Sequence, residues 1–387
     1  MLSTLAVSAV LGLTVSAAPS NLDSMRMSGN PGSYGPGHWN GKTGPDNGQQ
    51  PFKFPLANGF PNITNPSDAL NQIQIQAHGT LPNATLPSSI SDLTATTFQL
   101  IAFNELFEVA FFTSLLQNIT DNVSGFDIGS GAAKQIVVNA ITAVQAQEEL
   151  HALGAEGILQ AAGRDQILPC EYVFPTNDFD GAIALASTFT DVVLGTLQDA
   201  QLNFGKDGDI GFLPLVGSVI GQEGEQNGFY RLLGNKIPSA LPFLTRSAGA
   251  FAFSALNQMF IVPGSCPNLH VLSSALPIFG TLNVDTKTPQ LEDQLLSFSI
   301  PNTNGTQIDA DTNAIAYINQ QNVPVTQKIQ NVKSEYGKVT FQAFFPGQTN
   351  LMNGLTIAAV TKGMGPFAAI EDVVAATLFG PGFIEIN

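Results

Sequence analysis

The residues with the clearest chemical potential are Glu148 and His151, in the run Ala143-Val-Gln-Ala-Gln-Glu-Glu-Leu-His-Ala-Leu-Gly-Ala-Glu-Gly157. A step of three places a carboxylate and an imidazole one helical turn apart on one face, which is a metal-ligating unit of helix-built sites. The same step recurs at Glu105 and Glu108, and again at Glu223 and Gln226. A two-metal site in a helical bundle takes one glutamate from each of two helices and a Glu-x-x-His pair from each of the other two. Here the pair is complete only at Glu148 and His151. Gln226 stands where a second histidine belongs, Asp191 is the nearest acid on the remaining helix, and a neutral amide is a weak ligand for iron.

Two arrangements are open on these residues. Glu148, His151, Glu223 and one of Glu105 or Glu108 form a metal site, with iron or manganese as the ion. Alternatively the acids form a polar core, hydrogen-bonded to His151, Tyr230 and Gln226 and sharing protons, because like charges close together cannot all ionise.

The elements that must position these groups are legible as helical periodicity. Phe98, Ile101, Glu105, Glu108, Phe112 and Leu115 form an apolar stripe from about Asp92 that the two carboxylates interrupt, so both acids face the core. Ile141, Val144, Glu148, His151, Ala155 and Ile158 repeat this over Ala132 to Ala162, ended by Gly163. A third helix is expected from Asp180 to about Asn203, with Asp178 or Asp180 as cap and Gly205 as stop. A fourth follows Pro214 and carries Val216, Val219, Glu223, Gln226, Tyr230 and Leu233 on one face, and a fifth spans Thr245 to Met259. Beyond Cys266, the runs Leu296–Ile300, Ala314–Ile318, Lys338–Phe345, Leu355–Val360 and Phe383–Ile386 alternate or cluster β-formers between Gly, Pro and Asn turns.

The N-terminal region points to export. Leu5 to Val15 is a short apolar run followed by Ser16-Ala17-Ala18-Pro19, the pattern of a signal peptide cleaved after Ala17. Asn62, Asn83, Asn118, Asn122 and Asn304 each head an Asn-x-Ser/Thr acceptor. The two cysteines, Cys170 and Cys266, pair by default in an oxidising compartment; two separate buried thiols are the alternative. Residues 28–50 are built of Gly, Pro, Asn and Ser, cannot bury a core, and read as a flexible arm that includes His38 and Trp39, the sole tryptophan.

Composition narrows the function classes. Charged residues are 11% of the chain, about half the usual share. The formal net charge is −16 with no basic cluster, which disfavours nucleic acid and anionic membrane surfaces as partners and favours cations. No run after the leader has the roughly 18 uninterrupted apolar residues of a membrane span, so no integral membrane association is expected. There is no Gly-x-Ser-x-Gly elbow, phosphate-binding loop or dinucleotide fingerprint. His78 and His270 read as surface or interdomain residues rather than ligands.

Four segments carry a family resemblance: Phe103-Asn-Glu-Leu-Phe-Glu-Val-Ala-Phe-Phe112, Glu148-Glu-Leu-His-Ala-Leu-Gly-Ala-Glu-Gly-Ile-Leu159, Gly221-Gln-Glu-Gly-Glu-Gln226 and Phe260-Ile-Val-Pro-Gly-Ser-Cys-Pro267. Over about residues 90 to 275 the chain resembles the secreted fungal ferritin-like proteins, a group that includes late sexual development and stress-response proteins. The resemblance implies a ferritin-like bundle and marks Glu105, Glu108, Glu148, His151 and Glu223 as the positions of metal ligands.

The resulting expectation is an α+β chain, with a ferritin-like four- or five-helix bundle followed by a small β-rich C-terminal domain. Its parts would be a signal peptide over 1–17, a flexible arm and lead-in over 18–90, the helical domain over 91–270 and the β-rich domain over 271–387. The function implied is that of a secreted, non-catalytic component associated with sexual development or stress. Cell-wall or matrix components would be its partners, and its metal site would be degenerate. The competing expectation is a mono- or dinuclear iron or manganese redox protein acting on oxygen or peroxide.

Overall fold

A computed structural model of the chain describes residues 50–302 and 307–386. The leader, the arm with His38 and Trp39, and the acceptor at Asn304 lie outside the described residues. The helices are α1 (Asp68–Gln76), α2 (Asp92–Thr120), α3 (Ala132–Ala161), α4 (Phe179–Asp207), α5 (Leu213–Leu233), α6 (Gly249–Met259), α7 (His270–Ser273) and α8 (Ile370–Ala376). The strands are β1 (Asn283–Val284), β2 (Asp293–Pro301), β3 (Asn313–Asn319), β4 (Val325–Glu335), β5 (Lys338–Pro346), β6 (Gly354–Lys362) and β7 (Thr377–Ile386).

Local chemistry sets the ends of the long helices. Ser91 accepts from the Thr94 amide at the start of α2, and Asp178 from the Gly181 amide at the start of α4, so each side chain satisfies a backbone donor the helix leaves open. Gly208, at φ 79°, ends α4 in the left-handed region that glycine tolerates. Pro214 lies in the first turn of α5, where its missing N–H costs nothing. The interior of α5 is less favourable to a helix: Gly217, Gly221, Gly224 and Gly228 recur every three to four residues, and each costs up to about 1 kcal/mol relative to alanine.

Packing then builds a continuous helical core. α2 packs on both α3 and α4, and α4 carries α5. Phe103, Phe107, Phe111 and Phe112 of α2 are all buried and meet Phe189, Phe253, Phe260 and Tyr230. α2 and α4 are long and apolar enough to cross a membrane, but most of each is buried inside the molecule, which accounts for apolar residues on nearly every side. The segment before α2 is part of this core: Phe52 pairs with Tyr172, Tyr172 pairs with Ile261, and Phe60 is fully buried.

Cys170 and Cys266 form a disulfide that ties the α3–α4 connection to the segment after α6. Closing a loop of 96 residues in this way restricts the unfolded chain by an entropy worth about 4–5 kcal/mol in the chain-entropy account.

The seven strands form one antiparallel sheet in the order β1-β2-β5-β4-β3-β6-β7. Its two edges approach each other. Gly280, just before β1, bridges Phe379 of β7, and the space beside Gly382 of β7 is filled by Leu282 and Val284. The sheet is therefore a nearly closed barrel, filled by Phe298, Tyr317, Phe341, Phe345, Val360 and Ile384.

This architecture corrects the expected fold class. The chain is not a ferritin-like bundle followed by a small β-rich domain; it is a mixed molecule of eight helices and a seven-stranded barrel-like sheet among the described residues. The physical reason lies in β3 and β6. Ile315 and Tyr317 point into the barrel, whereas Ala316 and Ile318, with Leu355, Ile357 and Ala359 of β6, pack on Val192 of α4, Ala248, Phe251 and Ala252 at α6, and Ile370 and Val373 of α8. Both faces of these strands are buried, so sheet and helices share a core. The contact is close enough that a Cβ on Gly195 of α4 would lie 2.4 Å from the Thr245 carbonyl oxygen, while Thr245 donates to the Leu355 carbonyl at 2.6 Å.

Candidate metal centre

Four donor-bearing residues from three helices converge inside the helical half. Glu105 of α2, Glu148 and His151 of α3 and Glu223 of α5 each present a ligand atom, and these atoms all lie within 4.8 Å of one another. The three carboxylates are at most 1% exposed. His151 Nδ1 lies 2.7 Å from Glu148 Oε2, 3.5 Å from Glu105 Oε2 and 3.8 Å from Glu223 Oε1. The His151 side chain is 16% exposed.

The helical step explains this convergence. Glu148 and His151 share a face through i,i+3 spacing, and the apolar stripes that bury α2 and α3 carry their acids inward with them. Of the two acids on α2, Glu105 enters the group of four and Glu108 does not. Glu108, also buried, accepts from Asn104 Nδ2 at 3.2 Å, one turn along the helix.

The electrostatics are unbalanced. Burial pushes the Glu105 carboxyl up to about 7 despite the pull of His151. Burial also holds Glu108 and Glu223 well above the usual carboxylate range, reinforced by neighbouring glutamates. Burial alone would lower His151, but Glu148 and Glu105 more than reverse that and hold the imidazole well above its ordinary value. One imidazolium cannot neutralise four buried acids, so protons or a cation must make up the difference.

Hydrogen bonding marks the same deficit. Glu105 Oε2 and both carboxylate oxygens of Glu223 are buried with no hydrogen-bond partner among the described residues. A buried oxygen left unpaired costs about 1–3 kcal/mol, more when charged, and these oxygens face the same small volume as His151 Nδ1. Three carboxylates and one imidazole therefore fit a metal ion, with oxygen and nitrogen donors and no thiolate.

The remaining expected residues fall elsewhere. Asp191 of α4 is not in this group: its Oδ1 accepts from Asn227 Nδ2 at 2.9 Å, and its charged neighbours are Arg231 and Lys236. His78 and His270 are exposed. Asn62, Asn83 and Asn122 are exposed acceptors, whereas Asn118 is half-buried within α2.

Gln147 and Gln222, which no sequence motif marks, also border the centre. Gln147 Oε1 accepts from Gln222 Nε2 at 2.9 Å and from Gln226 Nε2 at 3.2 Å, and Gln226 Nε2 also donates to Glu148 Oε1 at 2.8 Å. Their signal was present in the spacing, since Gln147 adjoins Glu148 and Gln222 adjoins Glu223. The chain matches no protein-family model and no curated protein sequence.

Proposed function

We propose that this chain is a secreted metalloprotein whose helical half holds iron or manganese between Glu105, Glu148, His151 and Glu223. The observation that carries the reading is the set of orphaned carboxylate oxygens beside His151 Nδ1, in a core with too little positive charge of its own. Such an ion, when bound, supplies redox and Lewis-acid chemistry toward a small oxidant such as oxygen or peroxide. The chain's contribution is to fix four donors on three packed helices and to exclude bulk water, the three carboxylates being at most 1% exposed. The apolar leader, the Cys170–Cys266 disulfide and the exposed acceptors Asn62, Asn83 and Asn122 support export.

The near-complete burial of the three carboxylates favours a second role for the same ion. On that reading it fastens the helices of a non-catalytic extracellular component, one that acts at the cell wall or matrix during development or stress. The two readings part on turnover: a redox protein consumes peroxide in a metal-dependent way, and a fastened scaffold does not.

The experiment for the shared premise is elemental analysis of protein purified without chelator, beside His151→Ala and Glu223→Gln. Near-stoichiometric iron or manganese that both variants lose is the expected result. Wild-type protein that arrives empty and refuses added iron(II) and manganese(II) would end the proposal.

A further inference from the structure

Three helices each offer an acid and a second residue one turn later: Glu105 and Glu108 on α2, Glu148 and His151 on α3, Glu223 and Gln226 on α5. Glu148 stands between the two levels. Its Oε2 faces His151 at 2.7 Å, on the side of Glu105 and Glu223, and its Oε1 takes the Gln226 amide at 2.8 Å on the other. A two-ion site would need both oxygens of Glu148, with a donor atom from Glu108 and another from position 226 completing the second level.

The orientation of the Gln226 amide is fixed by its neighbours. The Ala77 carbonyl can only accept, so Gln147 presents Nε2 to it at 3.3 Å and turns Oε1 inward. That oxygen in turn draws Nε2 of both Gln222 and Gln226. Gln226 therefore aims N–H groups, not a lone pair, at Glu148 Oε1, and its own oxygen is directed to the Tyr230 hydroxyl at 3.5 Å. What remains at the second level is one carboxylate, Glu108, already engaged by Asn104.

We infer that the centre takes a single ion, and that Gln226 is the residue that excludes a second by occupying Glu148 Oε1 with its amide. The inference rests on the metal-binding reading above. It assigns Gln226 a positioning role: the residue holds Glu148 in place and caps its far oxygen, so that only the side facing His151 ligates.

The test is manganese(II) alone, added in excess to apo full-length protein, followed by desalting, elemental analysis and electron paramagnetic resonance. Wild-type protein is expected to retain one manganese per chain with the signal of an isolated ion. Gln226→His, which puts a ligating nitrogen where the amide stands, is expected to retain two with a spin-coupled signal. Gln226→Glu serves as a second route to the same result should the histidine disturb folding, with circular dichroism as the control. Two ions in the wild type would overturn this inference while leaving the metal-binding reading intact, and folded variants that both stay at one ion would remove Gln226 from the role. No uptake by the wild type would overturn both.

Discussion

The molecule buries two clusters of ionisable residues, and it treats them in opposite ways. At the junction with the sheet, Asp191 of α4 and Glu385 of β7 are set against Arg231 of α5 and Lys236. Burial raises the Asp191 carboxyl to about 6, but the Arg231 guanidinium pulls against that rise, and Asn227 and Ser187 complete a hydrogen-bonded chain at 2.9 and 2.7 Å. In the helical centre, three glutamates face a single histidine with Glu108 buried beside them. Both clusters hold carboxylate oxygens with no hydrogen-bond partner among the described residues, Asp191 Oδ2 and Glu385 Oε1 at the junction and Glu105 Oε2 and both oxygens of Glu223 in the centre, so it is the supply of positive charge that separates them. In the first cluster the chain provides its own cations. The second cluster lacks them, and this difference is the reason to look for an ion there and not at the junction.

The most severe way to break the comparison is to remove the internal cation. Arg231→Met leaves Asp191 without its main positive neighbour and Glu385 with Lys236 alone, and is expected to destabilise the protein by about 3–5 kcal/mol in denaturant unfolding, with metal content unchanged in whatever remains folded. A loss below about 1 kcal/mol would mean the junction does not rely on that charge. Next in size is the effect of supplying the missing cation. Manganese(II) or iron(II) at about a hundredfold its dissociation constant is expected to add about 2.7 kcal/mol of stability, visible as a rise in Tm that His151→Ala abolishes.

A third comparison uses Glu156, half-buried on α3 away from both clusters. Burial raises its carboxyl from 4.5 to about 7, so the folded state holds a proton that the unfolded chain releases. Its contribution to stability is complete below about pH 4.5 and is lost as the pH rises toward 7. Glu156→Gln keeps the acceptor that meets the Ile167 amide at 2.9 Å and is expected to remove about 2 kcal/mol of this pH dependence. An unchanged slope between pH 4.5 and 7 in unfolding experiments would refute that assignment. The smallest effect belongs to Glu223→Gln without metal: removing one acid from an over-acidic core is expected to leave stability equal or up to about 1 kcal/mol higher at neutral pH. A loss of several kcal/mol would show that the centre is balanced by its own protons.

How far the sequence disclosed this arrangement differs between the two halves. α2 and α3 begin where their apolar stripes place them, and the i,i+3 carboxylates are where periodicity puts them because a helix face is a local property. α4 runs past Gly205 to Gly208, and α6 begins at Gly249 rather than Thr245, since Thr245 is used to bond β6. The sequence signals too small a sheet because β4 carries no strand pattern: Val-Thr-Gln-Lys-Ile-Gln-Asn-Val-Lys-Ser-Glu fully buries only Ile329 and has a bulge between Gln330 and Lys333. The β4–β5 hairpin turns on Tyr336 and Gly337, both at positive φ, in place of the Asn-Gly that usually announces such a turn. Asp191 reads from the sequence only as the nearest candidate acid on its helix, because the helix is legible there and the strand and the arginine it faces are not. In a chain with so few charges, Arg231 amid Tyr230, Leu232 and Leu233, and Glu385 between Ile384 and Ile386, were the legible hints of the junction cluster.

The glycines of α5 give the centre a dynamic property. Four of them in one helix of 21 residues remove about 4 kcal/mol of intrinsic helical preference from the element that carries both Glu223 and Gln226. α5 rests mainly on α4, while α2 and α3, which hold the other donors, are pinned to each other along their length. The wall of the centre most easily opened is thus the one that delivers its last carboxylate. Backbone amides of Gly221 to Gly228 should exchange with deuterium well before those of α2 and α3, and slow once a cation bridges the three helices. On this view α5 is a hinged door whose latch is the ion itself, so that loading the centre and ordering the helix are one event.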